Sequence, residues 1–259
     1  MSQPEPLNRL NFNIDPITFF IKTIITTLST LIYIPAADQL TKLLQYATSC
    51  MSFPDGTTIT YTGKESDLKQ PLIPVTIVFW AQIILNSIID DPFLDIGVSV
   101  ASSLASAYVG YQLFRVITPL MLTSNGSRLN FSATIEDYIR WQLIILACTL
   151  GPTLLALLLP ATGFFSTILQ FGLTLVSLVL IALMLIPYYK WFVSKITGGA
   201  RLASFDAEPI EIGGMLIGFF LFSLLIITIP WSIAWFTKWL LNRISLPARS
   251  AMAAGGYSS

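Results

Sequence analysis

Residues 72–89 read LIPVTIVFWAQIILNSII without one charged side chain; Asp90-Asp91-Pro92 follows, and residues 96–113, IGVSVASSLASAYVGYQL, are uncharged again. An α-helix needs roughly 20 apolar residues to cross a hydrocarbon core of about 30 Å. Two such runs around a three-residue turn read as a helical hairpin. The texture recurs at Ile17 to Ile34, Ile139 to Leu159, Phe164 to Ile186 and Met215 to Ile229, with Pro160-Ala161-Thr162-Gly163 turning the fourth run into the fifth. The chain is 54% hydrophobic and 11% charged, with mean hydropathy +0.73, against about 25% charged in soluble domains. These runs predict an all-α, polytopic transmembrane bundle with about six membrane-embedded helices. A polar lead over 1–15 would precede a single membrane-embedded domain over 16–247, and a flexible tail would follow over 248–259.

Polar connectors between the runs share a pattern of short apolar-polar alternation, an aromatic residue and then a small one. Its copies are Arg9-Leu10-Asn11-Phe12-Asn13, Thr58-Ile59-Thr60-Tyr61-Thr62-Gly63, Arg128-Leu129-Asn130-Phe131-Ser132-Ala133 and Arg201-Leu202-Ala203-Ser204-Phe205-Asp206-Ala207. The two ends also echo each other, since Tyr33-Ile34-Pro35-Ala36 leads to Thr41-Lys42-Leu43-Leu44 as Thr228-Ile229-Pro230-Trp231 leads to Thr237-Lys238-Trp239-Leu240. An internal repeat is the expectation. After Pro35, apolar residues at helical spacing (Leu40, Leu43, Leu44, Ala47, Met51) read as a second, amphipathic piece lying along a membrane interface.

Nine of the 14 basic residues fall in the three long connectors: Lys42, Lys64, Lys69, Arg115, Arg128, Arg140, Lys190, Lys195 and Arg201. The two hairpin turns hold no basic residue, which puts the connectors on the cytoplasmic side of a bacterial inner membrane. Six complete crossings would put Arg9 at one end and Lys238, Arg243 and Arg249 at the other on the outer face, against the charge rule, whereas re-entrant or interfacial first and last helices leave four; length permits either.

Histidine is absent, and Cys50 and Cys148 stand far apart outside any CxxC pattern. The commonest metal ligand and general base is missing, so the residues offer no catalytic set, metal site or cofactor. With 14 basic and 14 acidic residues there is no net field to recruit nucleic acid.

Four sets of side chains stand out. Lys22 lies inside the first apolar run, where it either snorkels or marks a pathway. Ser102, Ser106 and Gly110 recur at four-residue steps, a face for close helix packing or, with Gln82 and Asn86 opposite, the lining of a route. Trp231, Trp235 and Trp239 with Lys238 read as an interfacial anchor. Gly214 and Gly218 form a GxxxG step suited to contact with a second subunit.

The connector motifs, with Thr27 to Ala37 (TLSTLIYIPAA) closing the first run, resemble the YjgN family of bacterial inner-membrane proteins. The likeness spans most of the chain, but Ala36 stands where the family pattern has tryptophan, and only the second copy keeps its glycine, Gly63. The resemblance implies membrane location and helix arrangement rather than an activity. The expectation is a non-enzymatic structural or accessory subunit of a membrane complex, with membrane lipids and protein subunits, or a second copy of itself, as partners. The alternative is a channel or transporter for a small solute or lipid.

Overall fold

Two tight turns show how the chain is assembled. In the first, Pro54 presets the corner and Gly56 takes φ +78, with the Phe53 N–H donating to the Thr57 carbonyl at 2.8 Å and the Gly56 N–H to the Phe53 carbonyl at 2.9 Å. Residues 123–127 repeat this: Gly126 has φ +77, Thr123 donates to Ser127 at 2.9 Å and Gly126 to Thr123 at 2.8 Å. A side chain in that left-handed conformation is strained, so glycine is what the turn requires.

A computed structural model of the protein describes residues 8–33, 35–89, 91–157, 163–198, 201–223 and 228–246. Outside them lie Ile34, Asp90 of the first apex turn, Pro160, Ala161 and Thr162 of the second, and the tail expected over 248–259. The described chain forms four units, each a motif strand, two helices and a return strand. Unit 1 holds β1 (Asn8–Arg9), β2 (Asn11–Phe12), α1 (Pro16–Ile32), α2 (Ala36–Ser49) and β3 (Met51–Ser52). Unit 2 holds β4 (Ile59–Tyr61), α3 (Glu65–Ile88), α4 (Pro92–Ile117) and β5 (Met121–Thr123). Unit 3 holds β6 (Leu129–Phe131), α5 (Ile135–Leu157), α6 (Phe164–Ser194) and β7 (Ile196–Gly198). Unit 4 holds β8 (Arg201–Leu202), β9 (Ser204–Phe205), α7 (Pro209–Ser223), α8 (Ile229–Leu241) and β10 (Ile244–Leu246).

In every unit the motif aromatic pairs antiparallel with the first return residue: Phe12 with Met51, Tyr61 with Met121, Phe131 with Ile196, Phe205 with Ile244. The N–H of the next residue donates to the carbonyl just before the return strand, from Asn13 to Cys50, Thr62 to Leu120, Ser132 to Lys195 and Asp206 to Arg243, at 2.8–3.1 Å. The four aromatics are 0–5% exposed. Each is an apolar plug at the root of its helical hairpin.

The following residues start helices, because each first turn receives a side-chain cap. The Asp15 carboxylate accepts from the Thr18 N–H, the Asp67 carboxylate from the Lys64 N–H, the Thr134 hydroxyl from the Asp137 N–H and the Glu211 carboxylate from the Glu208 N–H. Such caps satisfy donors that a helix start leaves bare.

The units close into a ring. The bridges Ser52–Thr58 and Leu122–Arg128 and the β7–β8 pair tie each return strand to the next motif. β10 then pairs with both β9 and β1, so the two ends of the chain meet in one three-stranded sheet. Ser204 and Ser245 share a hydroxyl hydrogen bond of 2.8 Å there, and the Phe12 N–H donates to Asn242 Oδ1 at 2.8 Å. The helices follow the strands around, each packing on the next and α8 returning onto α1. A collar of short strands thus carries four helical arms, and β1 and β2 of the polar lead belong to it.

The described residues are mostly helical, at 73%, but the expectation of about six membrane-embedded helices is not met. Among the described residues only α3 is long and apolar enough to cross a membrane, with mean hydropathy 1.7 over its most apolar stretch. α1 has 17 residues, short of the roughly 20 a crossing takes. In α4, Ser99, Ser102, Ser103, Ser106, Tyr111 and Gln112 dilute the apolar run. α5 spends its first two turns on Glu136, Asp137, Arg140 and Gln142. The polytopic bundle, the multi-pass placement in an inner membrane and the count of four or six crossings are all corrected by this finding. α2 folds back on α1 and α3 and buries Ala36, Ala37, Thr41 and Thr48.

Candidate functional site

The collar surrounds a chamber of about 550 Å³ to which all four units contribute. Two tiers of four side chains come from equivalent positions. Met51, Met121, Ile196 and Ile244 are the first return residues, and Leu10, Ile59, Leu129 and Ala203 stand two before each motif aromatic. In a strand, residues two apart share a face, which is why the alternation of the motif turns one apolar residue per unit toward the axis. At the helical end Leu44, Phe114, Tyr189, Phe192 and Leu241 continue the wall; toward the turns it becomes polar but uncharged, with Thr57, Thr123, Asn125 and Ser127. Among the described residues no charged side chain lines it. Burial pushes the Tyr189 hydroxyl above its ordinary pKa, so that group too stays neutral at physiological pH.

Around the chamber the units pack through separate clusters. In unit 3, Phe131 sits among Tyr111, Phe114, Tyr138 and Phe192, with ring centroids 5.2–6.5 Å apart. Unit 1 seats Phe12 against Phe19 at 6.3 Å, edge to face. Outside, Arg9 and Asp206 form an ion pair of 2.7 Å across the meeting of the chain ends, and Arg243 and Glu211 another of 2.7 Å.

The residues singled out from sequence do not gather in this site. Gln82 and Asn86 are exposed on α3, Ser106 is exposed and Ser102 half-buried on α4, and none lines the chamber. Gly110 packs between units: a Cβ there would lie 3.5 Å from the Tyr138 hydroxyl on α5. Lys22 points its ammonium at the Tyr46 ring of α2, 5.4 Å from the centroid. Trp231, Trp235 and Lys238 line a separate lateral pocket between α8 and the start of α1. Trp239 turns inward instead, packing with Phe205 and Ile212 beneath the Arg243 guanidinium. Gly218 receives the Trp235 ring of α8, at 3.0 Å from where its Cβ would be, so this step serves packing within unit 4. Among the described residues no three His, Cys, Asp or Glu side chains come together as a metal site.

The chamber was missed in sequence because none of its residues carries distinctive chemistry; the signal available was the recurring apolar residue two before each motif aromatic. Comparison with known proteins adds no name to this arrangement: no family model matches the chain, and neither a curated protein nor a solved structure is similar to it.

Proposed function

We propose that the protein is a non-enzymatic structural or accessory subunit of a larger membrane-attached assembly, binding lipid and other protein chains. One observation carries the reading. The arms present large apolar side chains outward, among them Ile77 (61% exposed), Ile88 (70%), Phe165 (73%), Phe171 (65%) and Ile217 (64%). Scattered surface leucines are ordinary, but contiguous apolar faces on several helices belong to docking surfaces for protein or membrane. Arg9, Asp206, Glu211 and Arg243 pair at the collar and Asp91 and Asp95 stand exposed at the far end of the α3–α4 hairpin, which suits a partner offering hydrocarbon along the arms and water at either end.

Purification in mild detergent followed by mass determination tests the reading. Stable companion chains, or lipid retained in defined number, are expected. A lone chain without lipid would overturn it. A solute route through Gln82, Asn86 and the serine face has no support in the geometry, since those side chains border neither the chamber nor the lateral pocket.

A further inference from the structure

We propose that the axial chamber binds one neutral single-chain lipid, with its hydrocarbon between the four units and its uncharged polar head at the turn-side rim. The inference concerns the inside of the ring and stands whether or not the outer faces carry a subunit role.

The chamber's 550 Å³ lies within the roughly 300–1,000 Å³ usual for small-molecule sites, and its wall is hydrocarbon over most of its length. Left empty, such a space forfeits dispersion contacts along its whole lining. Water would find few partners among Met51, Met121, Ile59, Leu129, Ile196 and Ile244, and buried water needs two to four. A hydrocarbon chain meets both demands. The chamber also has direction, because the helical end is aromatic and aliphatic while Ser127 and Thr57, whose hydroxyl is buried without a partner, offer hydroxyl groups toward the rim. An ionised head would be drawn into a site without a countercharge, at a heavy desolvation cost. A hydroxyl- or ester-bearing head would be satisfied there. The ligand class is therefore a neutral amphiphile with one chain, such as a monoacylglycerol.

The full chain, purified in a rigid steroid-based detergent, is titrated with 1-monopalmitoylglycerol and, separately, with palmitate at pH 8, and read by native mass spectrometry. One monoacylglycerol per chain is expected, held at least tenfold more tightly than palmitate. Ala203→Phe, which fills the chamber from one tier, is expected to abolish the bound molecule without lowering the melting temperature. If that variant does not fold, Ala203→Leu is read in its place, with a severalfold loss expected. Unchanged binding in the filled variant, equal binding of palmitate, or unsaturable uptake of many lipids per chain would each overturn the proposal. None of these outcomes bears on whether companion chains co-purify, so the two readings fail separately.

Discussion

Units 1 and 4 reach their return strand 39 residues after the motif aromatic (51 − 12 and 244 − 205), whereas units 2 and 3 take 60 and 65 (121 − 61 and 196 − 131). The short units break their hairpin around Pro35 and Pro230, giving helices of 17 and 14 residues and of 15 and 13. The long units run 24 and 26, then 23 and 31. Yet the strand pairing, the carbonyl accepting from the residue after the aromatic, the first-turn cap and the buried aromatic are common to all four. The collar is therefore the conserved solution within this chain and the arms are free to vary. Closure also sets short beside short, with unit 1 meeting unit 4 through β1 and β10.

If arm length does not matter to the collar, truncating the aromatic should cost the same in either class. Phe12→Ala in a short unit and Phe131→Ala in a long one are each expected to lose about 3–5 kcal/mol, the range for a fully buried phenylalanine, with a single unfolding transition by circular dichroism. A separate low-temperature transition in Phe12→Ala alone would show that unit 1 melts independently and that the equivalence is only geometric.

The part of this symmetry that sequence revealed was the part with side-chain contrast. Phe12, Tyr61, Phe131 and Phe205 stand out as aromatics amid polar connectors, and the matching Pro35 and Pro230 betray the two short units. The alternation in the connectors was visible, but two or three residues are too few to tell a strand from a loop. Ring closure leaves no local trace at all, since β1 and β10 pair across 235 positions or more (Arg9 with Ser245 is 245 − 9 = 236). The overcount of membrane helices has a different origin. A run of apolar letters reports neither where a helix ends nor what shares it, and the serines and Gln112 of α4 dilute what looked continuous.

Unit 2 differs from its siblings in having tyrosine at the motif position. Burial first, and the nearby Asp67 carboxylate second, push Tyr61 up to about 12, from about 10 in an unfolded chain. The fold thus favours the neutral phenol. Its contribution is fully present below pH 10 and is lost as pH climbs through 12, on the order of 2–3 kcal/mol. Tyr138, Tyr188 and Tyr189 are also raised by burial, so wild type and Tyr61→Phe will both weaken in alkali. The urea midpoint of Tyr61→Phe should fall less between pH 8 and pH 11.5; equal falls would refute the assignment.

The same tyrosine explains why only this unit has glycine two residues on. A Cβ at Gly63 would run into the Tyr61 hydroxyl and ring carbon and lie 2.9 Å from Leu120 Cδ1, whereas Phe131 and Phe205, lacking the hydroxyl, are followed by Ala133 and Ala207. Tyr61 is 3% exposed and has no room to swing away. Gly63→Ala is expected to cost about 1–3 kcal/mol by overpacking. Adding Tyr61→Phe removes the hydroxyl contact but keeps the ring carbon, so it should return part of the loss, helped by the removal of a hydroxyl that is buried without a partner. Additive losses in the double variant would mean that the two positions are not exchanging volume.

The smallest effects separate two ion pairs of equal length beside the meeting of the short units. Arg9 and Asp206 are 46% and 52% exposed, while Arg243 and Glu211 are 23% and 32% exposed. Glu211 also accepts from the Glu208 N–H, and Arg243 lies over the Trp239 ring at 5.6 Å. Water screens the first pair and orients neither partner, so its double-alanine coupling should stay below about 0.5 kcal/mol and vanish in 1 M salt. The second is held on both sides and should reach about 1 kcal/mol with weaker salt dependence. A larger coupling at Arg9–Asp206 would mean that charge, rather than the β1–β10 ladder and the Ser204–Ser245 contact, pins the chain ends together, and closure would then fail in salt while the long units held.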